Sequence, residues 1–277
     1  ESERTTEQYL WLDHAIGEVV DLLVRQGQWE DTALWLVSDH GLSATHTHFC
    51  LNTFLESHGI PTFSYPLIHR RFGVKASTMV SGNGMAHIAL RHPHGWKVAM
   101  PRAEIEHHYP ELIADLLREP AADLLVLREN ADQLVVLSKR GEARLSWQDG
   151  QICYQVQGTD PFGYAALPER FSIQQSLELT YHSDYTDAPY QILQLFRSTR
   201  VGDIVVSATP GFDLRLRFEH PEHKGSHGSL HRLHMHVPLI CNKRFSADMV
   251  RTIDTSPTFL QQLGLPVSAQ LDGQIIL

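Results

Sequence analysis

Two short stretches carry the residue types that could do chemistry, Asp39-His40-Gly41 and, far downstream, Gly225-Ser226-His227-Gly228. A carboxylate next to a neutral imidazole is a donor pair that suits zinc, manganese or iron. In the second stretch two glycines bracket one imidazole, which lets a loop bring His227 close to an ion without crowding from its neighbours. Histidine is abundant, with 18 in 277 residues, and much of it falls in clusters around 40–48 and 220–236. Clustering of this kind points towards metal binding. His223, His46 and His48 lie close enough in sequence to be alternative ligands, or partners that orient the ligands.

The elements around these stretches explain how they would be placed. Leu34-Trp35-Leu36-Val37 is a strand-forming run that ends in Ser38-Asp39-His40. Open α/β sheets bind ligands beyond the carboxyl ends of their strands, so the Asp-His pair sits where a site belongs. Before it, Thr5 and Gln8 have capping-box spacing. Tyr9, Leu12, Ile16, Val19 and Leu23 then recur at helical spacing, and Gly27 is a stop. A helix followed by a strand is the grammar of a mostly parallel sheet. Leu51–Ser57 reads as a further short helix closed by Gly59 and Pro61.

From residue 62 the texture changes. Thr78–Val80 and Ala86–Leu90 flank Ser81-Gly82-Asn83-Gly84 as a hairpin, and a helix is expected from Arg102 to Leu117. Leu124–Leu127, Gln133–Ser138, Ala143–Trp147 and Ile152–Val156 alternate with turn residues as an antiparallel meander. The α/β grammar returns with a helix after Asp187 and Pro189, strands at Asp203–Ala208 and Val237–Ile240, and a helix from Asp254 to Leu263. The expected organisation is an α/β core over 1–61 and 186–277, interrupted by an α+β cap over 62–185.

Composition narrows the function. A net charge of −9 leaves no basic stripe for a nucleic-acid backbone, and no apolar run is long enough to span a membrane. Cys50, Cys153 and Cys241 stand far apart and in no C-x-x-C pairing, as expected either of a reducing compartment, the cytoplasm being favoured over others, or of plain buried thiols; the compartment itself stays open. Asp13-His14 and His107-His108 read as helix surface. His231, His234 and His236 read as solvent-facing or ligand-supporting residues, and Lys224 and Arg232 as solvated charges. Asp160-Pro161-Phe162-Gly163-Tyr164 is a turn that could edge a cleft or simply fold the cap.

Val37-Ser38-Asp39-His40-Gly41-Leu42, then Gly225-Ser226-His227-Gly228, Val237-Pro238-Leu239-Ile240 and the tail Asp254-Thr255-Ser256-Pro257 with Asp272-Gly273, together resemble the alkaline phosphatase superfamily. Within it they are most similar to the type I phosphodiesterase/nucleotide pyrophosphatase branch. The resemblance implies an alkaline-phosphatase-like, mostly parallel sheet flanked by helices. It implies a hydrolase of phosphoric esters acting on a small phosphate-ester or nucleotide-like substrate, with two metal ions, commonly zinc. By carry-over Asp39 and His40 would hold one ion and His227 the other.

The family's remaining parts, a strand Asp, a Thr or Ser nucleophile and an Asp-x-x-x-His pair, precede the Asp-His strand. Only one helix precedes it here, so the nucleophile is expected upstream of Glu1 and this chain alone is expected to be inactive. The alternatives are a non-catalytic metal-binding or structural fragment, or sulfatase, phosphonate hydrolase or phosphomutase chemistry on the same scaffold. His46-Thr47-His48 lacks the following Asp-His of a metallo-β-lactamase.

Overall fold

The apolar residues at helical spacing fall within α1, Glu3–Arg25, which starts two residues before the expected cap Thr5 and buries none of its residues, in a computed structural model that describes residues 3–63, 72–216 and 220–277. Gly27, at φ 69°, closes the helix as expected. The chain divides into two units, Glu1–Ser38 with Pro238–Leu277, and Asp39–Val237. In the first unit α1 is followed by β1, Trp35–Val37.

The second unit starts at Asp39. Two-residue strands β2 (Ser43–Ala44) and β3 (Thr47–His48) lead into α2, Leu51–Ser57, which buries Leu51, Phe54 and Leu55. Then come β4 (Thr62–Phe63), β5 (Ala76–Ser81) and β6 (Met85–Leu90). The hairpin expected at Ser81–Gly84 forms, with Gly82 and Asn83 both at positive φ.

The single helix expected from Arg102 to Leu117 is instead two, α3 (Arg102–His108) and α4 (Leu112–Arg118). Pro110 is the cause. It has no N–H to donate, and its ring clashes with the preceding turn.

The meander forms as read: β7 (Ala122–Arg128), β8 (Gln133–Ser138), β9 (Glu142–Gln148) and β10 (Gln151–Gln157). Asp149 and Gly150, both at positive φ, link the paired Gln148 and Gln151 in the tightest hairpin. After β11 (Arg170–Phe171), Ser172 and Gln175 form a capping box that starts α5, Ile173–Thr180. The Ser-x-x-Gln spacing of that cap is visible in the sequence. Helix α6, Ala188–Leu195, starts after Asp187 as expected. Next are β12 (Ile204–Ala208), β13 (Phe212–Asp213), β14 (Gly225–Ser226) and α7 (Arg232–Met235).

The result is a mixed α/β fold. Nine strands form one sheet in the order β11-β10-β9-β8-β7-β12-β6-β5-β4, flanked by helices that include α2, α4 and α5. Parallel pairing occurs at β4–β5, and again at β3–β13 beside the sheet; the other ladders of the large sheet are antiparallel. Strand β12 lies between β6 and β7 and is buried throughout, in keeping with four apolar residues and one serine, Ser207, whose hydroxyl accepts the Leu230 N–H. Its side chains join Leu51, Leu55, Ile88, Leu125 and Leu127 in one core. The buried carboxylate of Asp203 accepts the N–H groups of Leu90 and Met100, at 2.7 and 2.8 Å. Burial raises its pKa, and those two bonds oppose the rise.

The first unit closes with β15 (Leu239–Cys241), a 3-10 turn at Thr252–Asp254 and α8 (Thr255–Gln262). β15 pairs antiparallel with β1, and Trp35 packs against Phe245 and Phe259. The buried Asp254 carboxylate accepts from Arg251 and Gln274 main-chain N–H groups, tying the last segment to α8.

Candidate active site

His40 and His227 meet face to face. Their rings lie 3.5 Å apart, centroid to centroid, with 3° between planes. Asp39 stands beside them: its carboxylate is 3.5 Å from His40 Nε2 and is 84% exposed. Its other oxygen accepts the His40 main-chain N–H, and His40 Nδ1 donates to the Gly41 carbonyl at 2.9 Å. With Nδ1 engaged there, Nε2 is the nitrogen that faces the Asp39 carboxylate. Burial lowers the pKa of His227, and the neighbouring His40 lowers it further against an opposing pull from Asp39. A neutral imidazole is the form that binds metal.

His227 is held by the β5–β6 hairpin. Its N–H donates to the Gly82 carbonyl at 2.7 Å, and its carbonyl accepts from Gly84 at 2.8 Å. A Cβ on Gly82 would fall 2.4 Å from His227 Nδ1. Only glycine leaves room for the ring at that turn, where φ is also positive. Gly228, at φ 95°, turns the chain away on the other side.

The hairpin tip has a second anchor. Asn83 Nδ2 donates to the fully buried Asp213 carboxylate and to His223 Nδ1, both at 2.8 Å. His223 is therefore tethered to Asn83, and His227 is the partner of His40. His48 turns its buried ring towards the Arg215 carbonyl and places Nε2 3.0 Å from Glu222. His46 is exposed and rests near Gly211. Neither Asn83, Asp213 nor Gly82 was singled out from sequence. The available signal was a glycine-rich hairpin tip and a carboxylate closing the run Gly211-Phe212-Asp213.

Other expectations resolve simply. His14 lies on the surface of α1 beside Glu18, and Lys224 is exposed next to Glu222. Phe162 of the Asp160 turn is buried, and Asp160 accepts from the Tyr154 hydroxyl at 2.6 Å, so that turn packs back on β10. His236 bonds to Thr186. His234, read as solvent-facing or ligand-supporting, is buried between Ser43 and Ser229.

The donor types match a divalent cation, but among the described residues no group of three His, Cys, Asp or Glu side chains is arranged to hold one ion. Metal–imidazole bonds lie in the ring plane, and two parallel planes share no point. One ion cannot satisfy both rings.

A sequence model of the type I phosphodiesterase / nucleotide pyrophosphatase family matches residues 1–230. The chain belongs to that family. The match takes in Asp39, His40 and His227, and the family acts on phosphate-ester and nucleotide substrates. No curated protein and no solved structure matches the chain. No described helix is long and apolar enough to cross a membrane.

Proposed function

We propose that the site is part of a metal-dependent phosphodiesterase or nucleotide pyrophosphatase. Asp39 and His40 would hold one divalent cation, zinc in preference to manganese or iron, and His227 a second. The observation that supports this reading is the parallel stack of His40 and His227. A 3.5 Å stack suits one ion per ring plane, and two-metal sites generally hold their ions about 3.5–4 Å apart.

Bound cations would polarise the phosphoryl oxygens and lower the pKa of an attacking oxygen. The chain's own residues do the holding. The Gly41 carbonyl orients His40 through Nδ1, the Gly82–Gly84 tip fixes His227, and lowered basicity keeps His227 unprotonated near neutral pH. No hydroxyl of this chain is assigned the attacking role. A small phosphate ester or nucleotide is the proposed substrate.

A second reading, metal binding without catalysis, is favoured by the lack of a three-residue ligand group among the described residues. Hydrolysis of bis(p-nitrophenyl) phosphate by the purified chain with added zinc or manganese, alongside metal content by elemental analysis, separates the two. Activity lost in both His40→Ala and His227→Ala supports the enzyme. Partial metal content with no turnover supports binding alone. Zinc-dependent turnover unaffected by either substitution would place the chemistry elsewhere.

A further inference from the structure

The two segments that carry His40 and His227 join at β2–β14, a ladder of only two residue pairs, Ala44 with Gly225 and Ser43 with Ser226. Such a ladder is shorter than most strand pairings. His234 lies across it. The side chain is buried, with the residue only 4% exposed, and its Nε2 is 2.7 Å from Ser43 Oγ. Its Nδ1 is 2.7 Å from Ser229 Oγ and 3.1 Å from the Ser229 main-chain nitrogen.

A main-chain N–H can only donate, so Nδ1 accepts and the proton of the neutral ring sits on Nε2, facing Ser43. The backbone takes part as well. The His234 carbonyl accepts the Gly41 N–H at 2.9 Å, and Leu233 runs so close that a Cβ on Gly41 would meet its carbonyl oxygen at 2.1 Å.

We propose that His234 is a positioning residue whose ring ties Ser43, on the His40 segment, to Ser229, on the His227 segment, and so sets the spacing of the stacked imidazoles. The proposal rests on the reading of His40 and His227 as working groups of phosphodiester hydrolysis. A Ser43–His234 nucleophile–base dyad is the obvious competitor, and the hydrogen bonding opposes it. Nε2 donates to Ser43 and so cannot take its proton. Burial, together with neighbouring His231, His227 and His40, also pushes the pKa of the ring down to about 4, which makes it a poor base.

The test compares His234→Ala, His234→Asn and His234→Gln with the parent protein. Asn places an amide near the Nδ1 position and can keep the Ser229 arm; Gln reaches the Nε2 position and can keep the Ser43 arm. Zinc affinity by titration calorimetry, kcat and KM on bis(p-nitrophenyl) phosphate, and amide hydrogen exchange at Gly41 and Ser229 are read together.

The expected result for His234→Ala is a loss of about 10–100-fold in zinc affinity and kcat with KM little changed. Exchange should be faster at both amides, and each amide variant should restore protection at its own arm. Unchanged exchange at Gly41 and Ser229 in His234→Ala overturns the proposal, whatever the activity. Faster exchange with unaltered zinc affinity and kcat also overturns it, since the tie would then not govern the site. If the parent neither binds zinc nor turns over, the functional reading fails, and with it the role of the tie in catalysis. Exchange then still reports whether the tie exists.

Discussion

The two halves of the site are built differently. On the His227 side, two main-chain hydrogen bonds and the bare face of Gly82 leave the ring little freedom. A buried carboxylate, Asp213, steadies the hairpin that supplies them. On the His40 side, Asp39 is mostly exposed, and the segment is attached through the Gly41 N–H, the Ser43 hydroxyl, the two-pair β2–β14 ladder and the Thr45 N–H. One half is a fixed wall and the other an adjustable arm. A two-ion site of the proposed kind benefits from having one side rigid.

That contrast can be tested in order of expected effect. His227→Ala should lower zinc affinity by about 100-fold or more, beyond the range seen for residues that only orient ligands, while the melting temperature moves little. Zinc titrations with circular dichroism melts check it.

The second prediction concerns acid. His234 and His227 have folded pKa values below the ordinary 6.5 of histidine, so the unfolded chain binds more protons than the folded one as pH falls. Their contribution to stability is complete above pH 6.5. For His234 it is lost as pH drops from there towards about 4, by an amount on the order of 3 kcal/mol. Urea melts across that window should show the decline, and His234→Asn should flatten it.

Third, Gly82→Ala forces a Cβ against the His227 ring at positive φ. It should cost about 1–2 kcal/mol of stability and lower activity more than the same change at exposed Gly150. Paired thermal melts and assays of the two variants decide whether the wall matters. Smallest in stability is Asp39→Asn. The side chain is exposed, so unfolding free energy should change by less than about 0.5 kcal/mol while metal affinity falls. Loss of stability here would mean that the arm is as fixed as the wall.

Much of this was legible in the sequence where the signal is local. The meander strands could be read because alternation and turn residues such as Asp149-Gly150 lie within a few positions of one another. Asp39, His40 and His227 could be singled out as residue types in glycine-bearing stretches. Pro110 was equally visible and its break was still missed, because the apolar spacing continues across it. The supports of the site were not legible. Asn83 reaches Asp213 across 130 residues and His234 reaches Ser43 across 191, and no periodicity records such pairs. His234 in particular looked like one histidine among several near a strand, and only burial distinguishes it.

The central place of β12 has a consequence for how the protein is made. On a ribosome, residues 76–157 emerge well before Ile204–Ala208. Until β12 arrives, β6 and β7 are each left with an open edge rich in apolar residues, including Ile88 and Leu125. Open apolar edges are where chains pair wrongly with one another. A nascent chain stalled between the meander and β12 would expose both edges, which the five buried residues of β12 cover in the folded protein.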